Sequence, residues 1–301
     1  MTVPVLLFVY DRPEHTRKTV EALQQNILKK NTDLIIYSDA ARTQDNKDSV
    51  LAVRMYVAGI KGFRSVSVHY RPYNFGLAKS IIEGVSEVLV SHEAVIVLED
   101  DMVTSKYFLT YMNDALERYA EDERVVSIHG YVYPVAQTLP EAFFIPGADC
   151  WGWATWKRGW KCFNPDGQYL LDELKRRNMV HAFDLNGAYS YSKMLEGQIK
   201  GKNDSWAIRW YASAFLAGKL TLYPGRSLVY NIGNDNSGRH CGESDQFDIV
   251  LSKTPINIDQ IKVESSQEAL QAFEVFLKKS TKSVLKRVIF RLHNLLSLLL
   301  K

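Results

Sequence analysis

Cysteine is scarce in this sequence, with three among 301 residues, an odd number without any Cys-x-x-Cys spacing. A disulfide framework or a structural zinc site is therefore not expected, and we expect a reducing compartment, the cytoplasm. No run of about eighteen uncharged apolar residues is present, so no transmembrane helix is predicted. Strand-like sequence begins at Val3, from which we expect no signal peptide.

A strong excess of charge of either sign is also lacking, because the formal net charge is +3 with 24% charged residues. The basic residues are unevenly placed, since residues 275–301 carry seven Lys and Arg and no acid. The preceding body is consequently mildly acidic, which argues against a nucleic-acid-binding core.

Apolar runs alternate with stretches of helical periodicity over the first 130 residues. Such alternation predicts an α/β fold with a Rossmann-like, mostly parallel central sheet and flanking helices. The predicted strands and helices follow one another as Val3–Tyr10, Pro13–Gln25, Leu34–Tyr37, Ser49–Ala58, Val66–Tyr70, Leu77–Val90, Ala94–Leu98, Tyr107–Tyr119 and Val125–His129.

The pattern is looser in the second half of the chain. Residues 131–162 are rich in Pro, Gly and aromatic residues, which predicts strands joined by long loops. We expect a catalytic domain over residues 1–255 and a linker with a basic amphipathic helix over 256–301. Further helices are predicted near Tyr169–Phe183 and Asp204–Ala217, and further strands near Leu220–Leu222 and Ser227–Tyr230.

The apolar run Ala94–Leu98 ends abruptly in three acids, Glu99, Asp100 and Asp101. In open α/β sheets, ligands bind just beyond the carboxyl ends of such strands. Three adjacent carboxylates repel one another unless they share a cation, and hard oxygen ligands suit Mg²⁺ or Mn²⁺, which also bind substrate phosphates. The alternative is an acidic turn that caps the following helix.

Polar groups also follow the first three predicted strands. Arg12 follows the first strand, Asp39 the second, and the turn Asn74-Phe75-Gly76 with Lys79 the third. Together with the acids they would form a pocket with acceptors for a base and a ribose, basic groups for a diphosphate, and a metal site. Gly76 would let the backbone approach a ligand closely at a helix N-terminus.

These motifs, in this order, resemble those of the GT-A glycosyltransferases, in particular the N-acetylglucosaminyltransferase I type. The resemblance covers roughly residues 3 to 245 and implies the GT-A fold. Two features differ from that family: its histidine after the third strand is replaced near Lys79-Ser80, and its Golgi anchor is absent, which points to a bacterial-type cytoplasmic enzyme. The matching motifs are Asp11-Arg12, Ser38-Asp39, Glu99-Asp100-Asp101, Pro146-Gly147, Asp204-Ser205-Trp206 and Ser237-Gly238-Arg239-His240.

The resemblance implies roles on the donor side of the reaction. Asp101 would ligate Mn²⁺ or Mg²⁺, which bridges the diphosphate of a UDP-sugar. Asp100 and Glu99 would hold the ribose and the donor sugar, Asp39 would read the uracil, and Arg12 would contact the base or the phosphates.

Asp204 resembles the family's general base, which deprotonates the acceptor hydroxyl while the metal stabilises the departing diphosphate. One in-line displacement of this kind inverts the anomeric centre. The alternative for Asp204 is a structural role as the N-cap of the helix that begins at Ser205-Trp206.

Four tryptophans crowd into residues 151–160. Indole faces suit sugar rings, and we expect one or two of them, Trp153 among them, to line the donor or acceptor site, whereas the alternative is that most are core residues. His240 is expected to close over the diphosphate as part of a Gly-rich loop, against the alternative of a surface histidine without function.

The tail Ser283–Lys301 combines an apolar face with lysines and arginines, which is typical of a basic amphipathic helix on an anionic membrane surface. Packing against the body or in an oligomer interface is the alternative.

The sequence therefore predicts a metal-dependent, inverting glycosyltransferase that moves a sugar, N-acetylglucosamine-like, from a UDP-sugar to a glycan or lipid-linked glycan. A nucleotidyltransferase on a related sheet would need a Gly-rich, lysine-bearing motif after the first strand, and Asp11-Arg12-Pro13 differs from it. An aspartyl phosphatase fails on the spacing of its acids. A non-catalytic carbohydrate-binding protein would suit the tryptophans and leave the carboxylates without a purpose.

Overall fold

The computed structural model describes residues 2–235, 245–259 and 261–280. The predicted lid residue His240 and the predicted membrane-facing tail Ser283–Lys301 lie outside the described residues. Within the described part of the chain, no helix is both long and apolar enough to cross a bilayer.

Eight strands form one central sheet, in the spatial order β3-β2-β1-β4-β8-β6-β9-β7, and two short strands pair separately as β5 and β10. The strands are β1 (Val5–Val9), β2 (Asp33–Ser38), β3 (Ser65–Tyr70), β4 (Ala94–Glu99), β5 (Met102–Thr104), β6 (Val125–His129), β7 (Ala142–Pro146), β8 (Trp153–Trp156), β9 (Leu220–Pro224) and β10 (Val229–Asn231).

Helices cover both faces of this sheet, with two short 3-10 turns at Lys29–Asn31 and Gln44–Asn46. The chain forms a further helix over residues 267–280. The other helices are α1 (Pro13–Leu23), α2 (Lys47–Ala58), α3 (Leu77–Ser91), α4 (Phe108–Arg118), α5 (Lys157–Trp160), α6 (Gly167–Arg176), α7 (Val180–Phe183), α8 (Tyr191–Ile199) and α9 (Trp206–Leu216).

The expected α/β fold with a mostly parallel sheet is confirmed, and its parallel part is the block β3-β2-β1-β4. All five residues of β1 are buried, as the apolar run Val5–Val9 predicts for a strand covered on both faces. Each of these strands is followed by polar residues at the same edge of the sheet.

Strand β8 departs from the parallel pattern, because it lies antiparallel between β4 and β6, with Trp153 opposite Val97. The chain reaches β8 through the loop after β7 and not through a helical crossover, so the loop that enters β8 lies at the edge where β4 ends. The four residues of β8 are all buried.

The tryptophan-rich segment forms core and not surface at Trp153. Its side chain is 1% exposed and packs against Trp160, Trp206 and Trp210, with ring centroids 5.2 to 5.9 Å apart. The expectation that Trp153 lines a sugar site therefore does not fit its position, because a strand covered on both faces leaves the indole no open face.

The folded body continues beyond residue 255, where the sequence placed its end. Ile256 and Ile258 belong to the main core, and Phe273 of the helix at 267–280 packs against Phe143 and Tyr223. These buried contacts show that the polar stretch before that helix is a connection within the body. Helix α8 was not predicted from the sequence either.

Candidate active site

The carboxyl ends of four neighbouring parallel strands bring the candidate residues to one edge of the sheet. In the register of the strands, Val9 lies opposite Ser38, and Phe8 lies opposite Glu99. The residues that follow these positions, among them Arg12, Asp39 and the three acids after Leu98, consequently meet there, as the sequence predicts.

Arg12 lies inside the acidic cluster of Glu99, Asp100 and Asp101. Its Nη2 donates to Asp100 Oδ1 and, at 2.8 Å, to Asp101 Oδ2. Asp100 is 4% exposed and Asp101 is 8% exposed, so both carboxyls are largely withdrawn from water. Arg12 supplies their countercharge within the protein.

Burial governs the protonation of the cluster. Removal from water, together with the charges of Asp101 and Asp100, raises the pKa of Glu99 to about 8. Burial raises the pKa of Asp100 to about 6, against the opposing charge of Arg12. Burial alone would lower the pKa of Arg12, yet the charges of Asp100 and Asp101 raise it above its ordinary value.

The second oxygen of Asp101 fits a divalent cation. Asp101 Oδ1 is buried without a hydrogen-bond partner in the described part of the chain, and a buried unpaired carboxylate oxygen is costly unless something binds it. Within the same residues, no three His, Cys, Asp or Glu side chains form a complete metal cage. A site of one or two carboxylate oxygens, completed by phosphates and water, is the usual arrangement for Mg²⁺.

The ribbon of β5 and β10 closes one side of the cluster. The backbone N–H of Ile232 donates to the carbonyl of Asp101 at 2.9 Å. A Cβ added to Gly233 would lie 2.2 Å from Asp101 Oδ2, so a larger residue there would displace the Asp101 carboxyl. Next to it, His15 Nε2 lies 3.1 Å from Asp235 Oδ2.

Asp39 holds the turn between β3 and α3. Its Oδ1 accepts from the N–H groups of Ala40 and Phe75, and its Oδ2 accepts from Gly76 N–H and Asn74 Nδ2, at 2.8 to 3.0 Å. These four donors occupy the lone-pair sites that a carboxylate offers. Asp39 is 7% exposed. Asp39 thus positions the turn, and the role implied by the resemblance, reading a uracil, stays a prediction.

The same turn presents aromatic rings stacked with cations. The guanidinium of Arg71 lies between the rings of Tyr37 and Phe75, 4.8 and 4.6 Å from their centroids. Lys79 Nζ lies 4.4 Å from the Phe75 centroid and 5.7 Å from that of Tyr73, which is 59% exposed. An aromatic and basic surface of this kind suits a planar base and its phosphates.

Asp204 lies in a cleft between α3 and the start of α9. The cleft has a volume of about 200 Å³ and is lined by Lys79, Glu83, Asp204 and Arg209, with Ala78 and Ile82. The Asp204 side chain is 72% exposed, and its Oδ1 lies 3.2 Å from Arg209 Nη2. Ser205, not Asp204, caps α9, because its side chain accepts from Ile208 N–H. The N-cap alternative for Asp204 is therefore wrong.

A second polar cluster, which the sequence reasoning did not single out, surrounds Asp149. Tyr223 donates to Asp149 Oδ2 at 3.2 Å, and His129 Nδ1 lies 3.8 Å from the same oxygen. The signal in the sequence is an acid two residues after the Pro146-Gly147 motif. The tyrosines that complete the cluster are far apart in the sequence, so only the fold brings them together.

Neither a protein-family model nor a curated protein sequence matches this chain. Among solved structures, Staphylococcus aureus TarS, residues 1–349, is 11% identical with a TM-score of 0.42, over 77% of this chain and 60% of that chain. A mannosyltransferase from Pyrobaculum calidifontis in complex with GDP-Man and Mn²⁺ is 10% identical with a TM-score of 0.40, over 72% and 69% of the two chains.

A UDP-glucose pyrophosphorylase complexed with UDP-glucose is 12% identical with a TM-score of 0.38, over 74% of this chain and 90% of that one. This chain thus spans 60% of the length of the TarS fragment. Scores at this level assign neither an activity nor a substrate to this chain.

Proposed function

We propose that the protein is a metal-dependent, inverting GT-A glycosyltransferase that moves a sugar, N-acetylglucosamine-like, from a UDP-sugar to a hydroxyl of a glycan or glycolipid. The observation that carries this proposal is the buried, unpartnered Oδ1 of Asp101, beside Asp100 and Glu99 at the carboxyl edge of a parallel sheet. Ligands of α/β proteins bind at this edge.

Mn²⁺ or Mg²⁺ would be held by Asp101, with Asp100 beside it, and would act as a Lewis acid on the departing diphosphate. Without a metal, Arg12 neutralises part of the negative charge of Asp100 and Asp101. With a cation held there, the Arg12 guanidinium would be available to the phosphates, for which its planar N–H groups are suited.

The turn held by Asp39 would receive the nucleoside. Phe75 and Tyr73 offer ring faces for the base, Lys79 offers a positive charge, and Asn74 is fixed by its bond to Asp39. The start of α3 adds a helix N-terminus, which favours anionic groups.

Asp204 is our candidate for the general base. Its carboxylate is exposed in the cleft beside Lys79, where an acceptor hydroxyl can reach it from solvent. Such a carboxylate would take the proton of the hydroxyl as its oxygen attacks the anomeric carbon. Because the attack comes from the side opposite to the departing diphosphate, it would invert the anomeric centre.

Thermal unfolding against a panel of nucleotides and nucleotide-sugars, with and without Mn²⁺, tests the proposal. A ligand at a hundred times its Kd stabilises by about 2.7 kcal/mol. We expect stabilisation by UDP or one UDP-sugar that requires Mn²⁺, is lost in Asp101→Asn and persists in Asp172→Asn, an exposed acid on α6. Metal-dependent hydrolysis of the same UDP-sugar should follow the same pattern. If no nucleotide stabilises the protein under either condition, the proposal fails.

A cytoplasmic location and a lipid-linked acceptor complete the proposal. The basic tail Ser283–Lys301 would bring the enzyme to an anionic membrane surface. Deleting this tail should abolish sedimentation with vesicles that contain anionic lipid, and unchanged sedimentation would contradict the membrane role.

A further inference from the structure

Asp149 is a partly exposed carboxylate with aromatic side chains around it. Its side chain is 26% exposed. Oδ1 accepts from the N–H of Cys150 at 2.8 Å, and Oδ2 accepts from the Tyr223 hydroxyl at 3.2 Å. The thiol of Cys150 is a third hydrogen-bond partner of this carboxylate, so about one of its four lone-pair sites is left for a further donor.

The fold places this carboxylate beside the acidic cluster. Because β8 runs antiparallel to β4 with Trp153 opposite Val97, the residues that enter β8 lie next to those that follow β4. Cys150 marks this proximity, since burial and then the charges of Asp149, Glu99 and Asp101 raise the pKa of its thiol. Asp149 therefore flanks the proposed donor site on the side away from the Asp39 turn.

His129 directs an unused donor toward the same place. The ring is fully buried, and its Nε2 accepts from the N–H of Trp151 at 3.1 Å. Burial lowers its pKa, so the imidazole is neutral and its proton is on Nδ1. Nδ1 has no hydrogen-bond partner in the described residues and lies 3.8 Å from Asp149 Oδ2, too far for a direct bond.

Tyrosine rings packed against one another form a wall close to Asp149, in which the Tyr211 hydroxyl donates to the carbonyl of Phe183 at 2.9 Å. Tyr191 lies 4.9 Å from Tyr211 and 4.7 Å from Tyr189, measured between ring centroids. Burial, with the charge of Asp149 as a further cause, raises the pKa of Tyr191 and Tyr211, so that their hydroxyls stay protonated. The loop lies directly against this wall, because a Cβ on Gly147 would be 2.3 Å from the Tyr211 ring.

The chemistry of this surround selects one class of ligand. A diphosphate or another anion would be repelled by Asp149, whereas a neutral polyol can donate a hydroxyl to it. Aromatic faces complement the C–H faces of a sugar ring, and phenol groups donate and accept hydrogen bonds at its rim.

We propose that Asp149, His129 and the surrounding tyrosines bind a sugar ring of the acceptor through its hydroxyl groups. The identification of this sugar as the acceptor rests on the proposed function. The binding of a sugar ring rests on the cluster around Asp149 alone. The subsite for this ring, next to Asp149, is thus distinct from the nucleotide surface at Phe75 and from Asp204, which would take the proton of the attacking hydroxyl.

Saturation-transfer difference NMR with methyl glycosides of common hexoses and N-acetylhexosamines tests the subsite without nucleotide or metal. We expect at least one glycoside to give a saturable signal, with affinity at least tenfold weaker in Asp149→Asn and unchanged in Asp172→Asn. Tyr223→Phe, which removes one hydroxyl from Asp149, should weaken binding less and serves if Asp149→Asn does not fold. Binding by none of the glycosides, or equal binding by Asp149→Asn, would overturn the proposal.

Donor chemistry distinguishes the two proposals from one another. If wild type hydrolyses a UDP-sugar with Mn²⁺, Asp149→Asn should keep that hydrolysis and lose at least 90% of transfer to the glycoside that binds. Equal loss of hydrolysis and transfer would place Asp149 on the donor side and overturn the inference. If wild type neither binds nor hydrolyses any nucleotide-sugar, the proposed function fails, and the NMR titration still decides the sugar site.

Discussion

Nη2 of Arg12 donates to one oxygen of Asp100 and to one oxygen of Asp101, so a single guanidinium nitrogen joins two neighbouring buried carboxylates. The protein thereby carries a monovalent countercharge at the place where we propose a divalent cation.

Replacing Arg12 by glutamine should destabilise the protein on the order of 3 kcal/mol, because two buried carboxyls lose their ionic partner. Urea unfolding in the presence of a chelator measures the change. Arg17→Gln is the matched control, since Arg17 makes only exposed contacts with Glu14 and Glu21 and should leave stability unchanged. Mn²⁺ should restore part of the stability lost in Arg12→Gln, and equal losses in the two variants would contradict this account.

Stability without metal should fall as the pH rises from about 4 to about 8. The folded-state pKa of Glu99, about 8, and of Asp100, about 6, exceed the values near 4 expected in the unfolded chain. Across this window the folded state binds more protons than the unfolded state, so the free energy of unfolding decreases with pH and levels off above about 8.

Urea unfolding from pH 5 to 9 in the presence of a chelator checks this dependence. Glu99→Gln should reduce the slope between about pH 6 and 8, because its side chain does not titrate. Added Mn²⁺ should reverse the slope in wild type, since the metal binds deprotonated carboxylates. A slope that is the same in Glu99→Gln would show that other groups govern it.

Adding a methyl group at Gly233 should impair metal binding more than folding. The new Cβ would lie 2.2 Å from Asp101 Oδ2, which must shift away from the proposed cation position. We expect Gly233→Ala to weaken Mn²⁺-dependent UDP binding at least tenfold by calorimetry. Gly59→Ala, whose Cβ would have 3.6 Å to its nearest neighbour, should bind as wild type does.

Asp39→Asn should lower both stability and nucleotide affinity. An amide cannot accept from all four donors that now bind the carboxylate, and each buried N–H left unpaired costs about 1–3 kcal/mol. Chemical unfolding and UDP titration are the measurements. If Asp39 reads the base instead of holding the turn, affinity for UDP should fall while stability stays at the wild-type value.

Local patterns in the sequence predict most of the strands and helices. The burial of one or both faces of an element determines the spacing at which apolar residues recur along it. The run Ala94–Leu98 is a strand in the structure, extended by Glu99. The short helix α8 has few apolar positions in a repeating pattern, and it forms by packing against α6 and α9, a tertiary effect that no local window contains.

The candidate site shows the same limit. That Arg12 and the acids meet at one edge follows from strand order, which alternation predicts. The burial of Trp153 depends on β8 entering the sheet antiparallel. The hydrogen bonds that occupy the Asp39 carboxylate depend on backbone N–H groups 36 and 37 residues away. The hydrogen-bond partners of a buried polar side chain are set by how the loops pack together. Residue types and spacing alone therefore do not predict them.

The bonds that Asp39 makes also bear on the thermodynamics of ligand binding. One carboxylate fixes the loop after β2 and the turn after β3, so the conformational entropy of both segments is lost when the chain folds. A nucleoside that binds to the turn held by Asp39 therefore contacts a segment that is already ordered. Calorimetry should record only a small entropic penalty for ordering this part of the site.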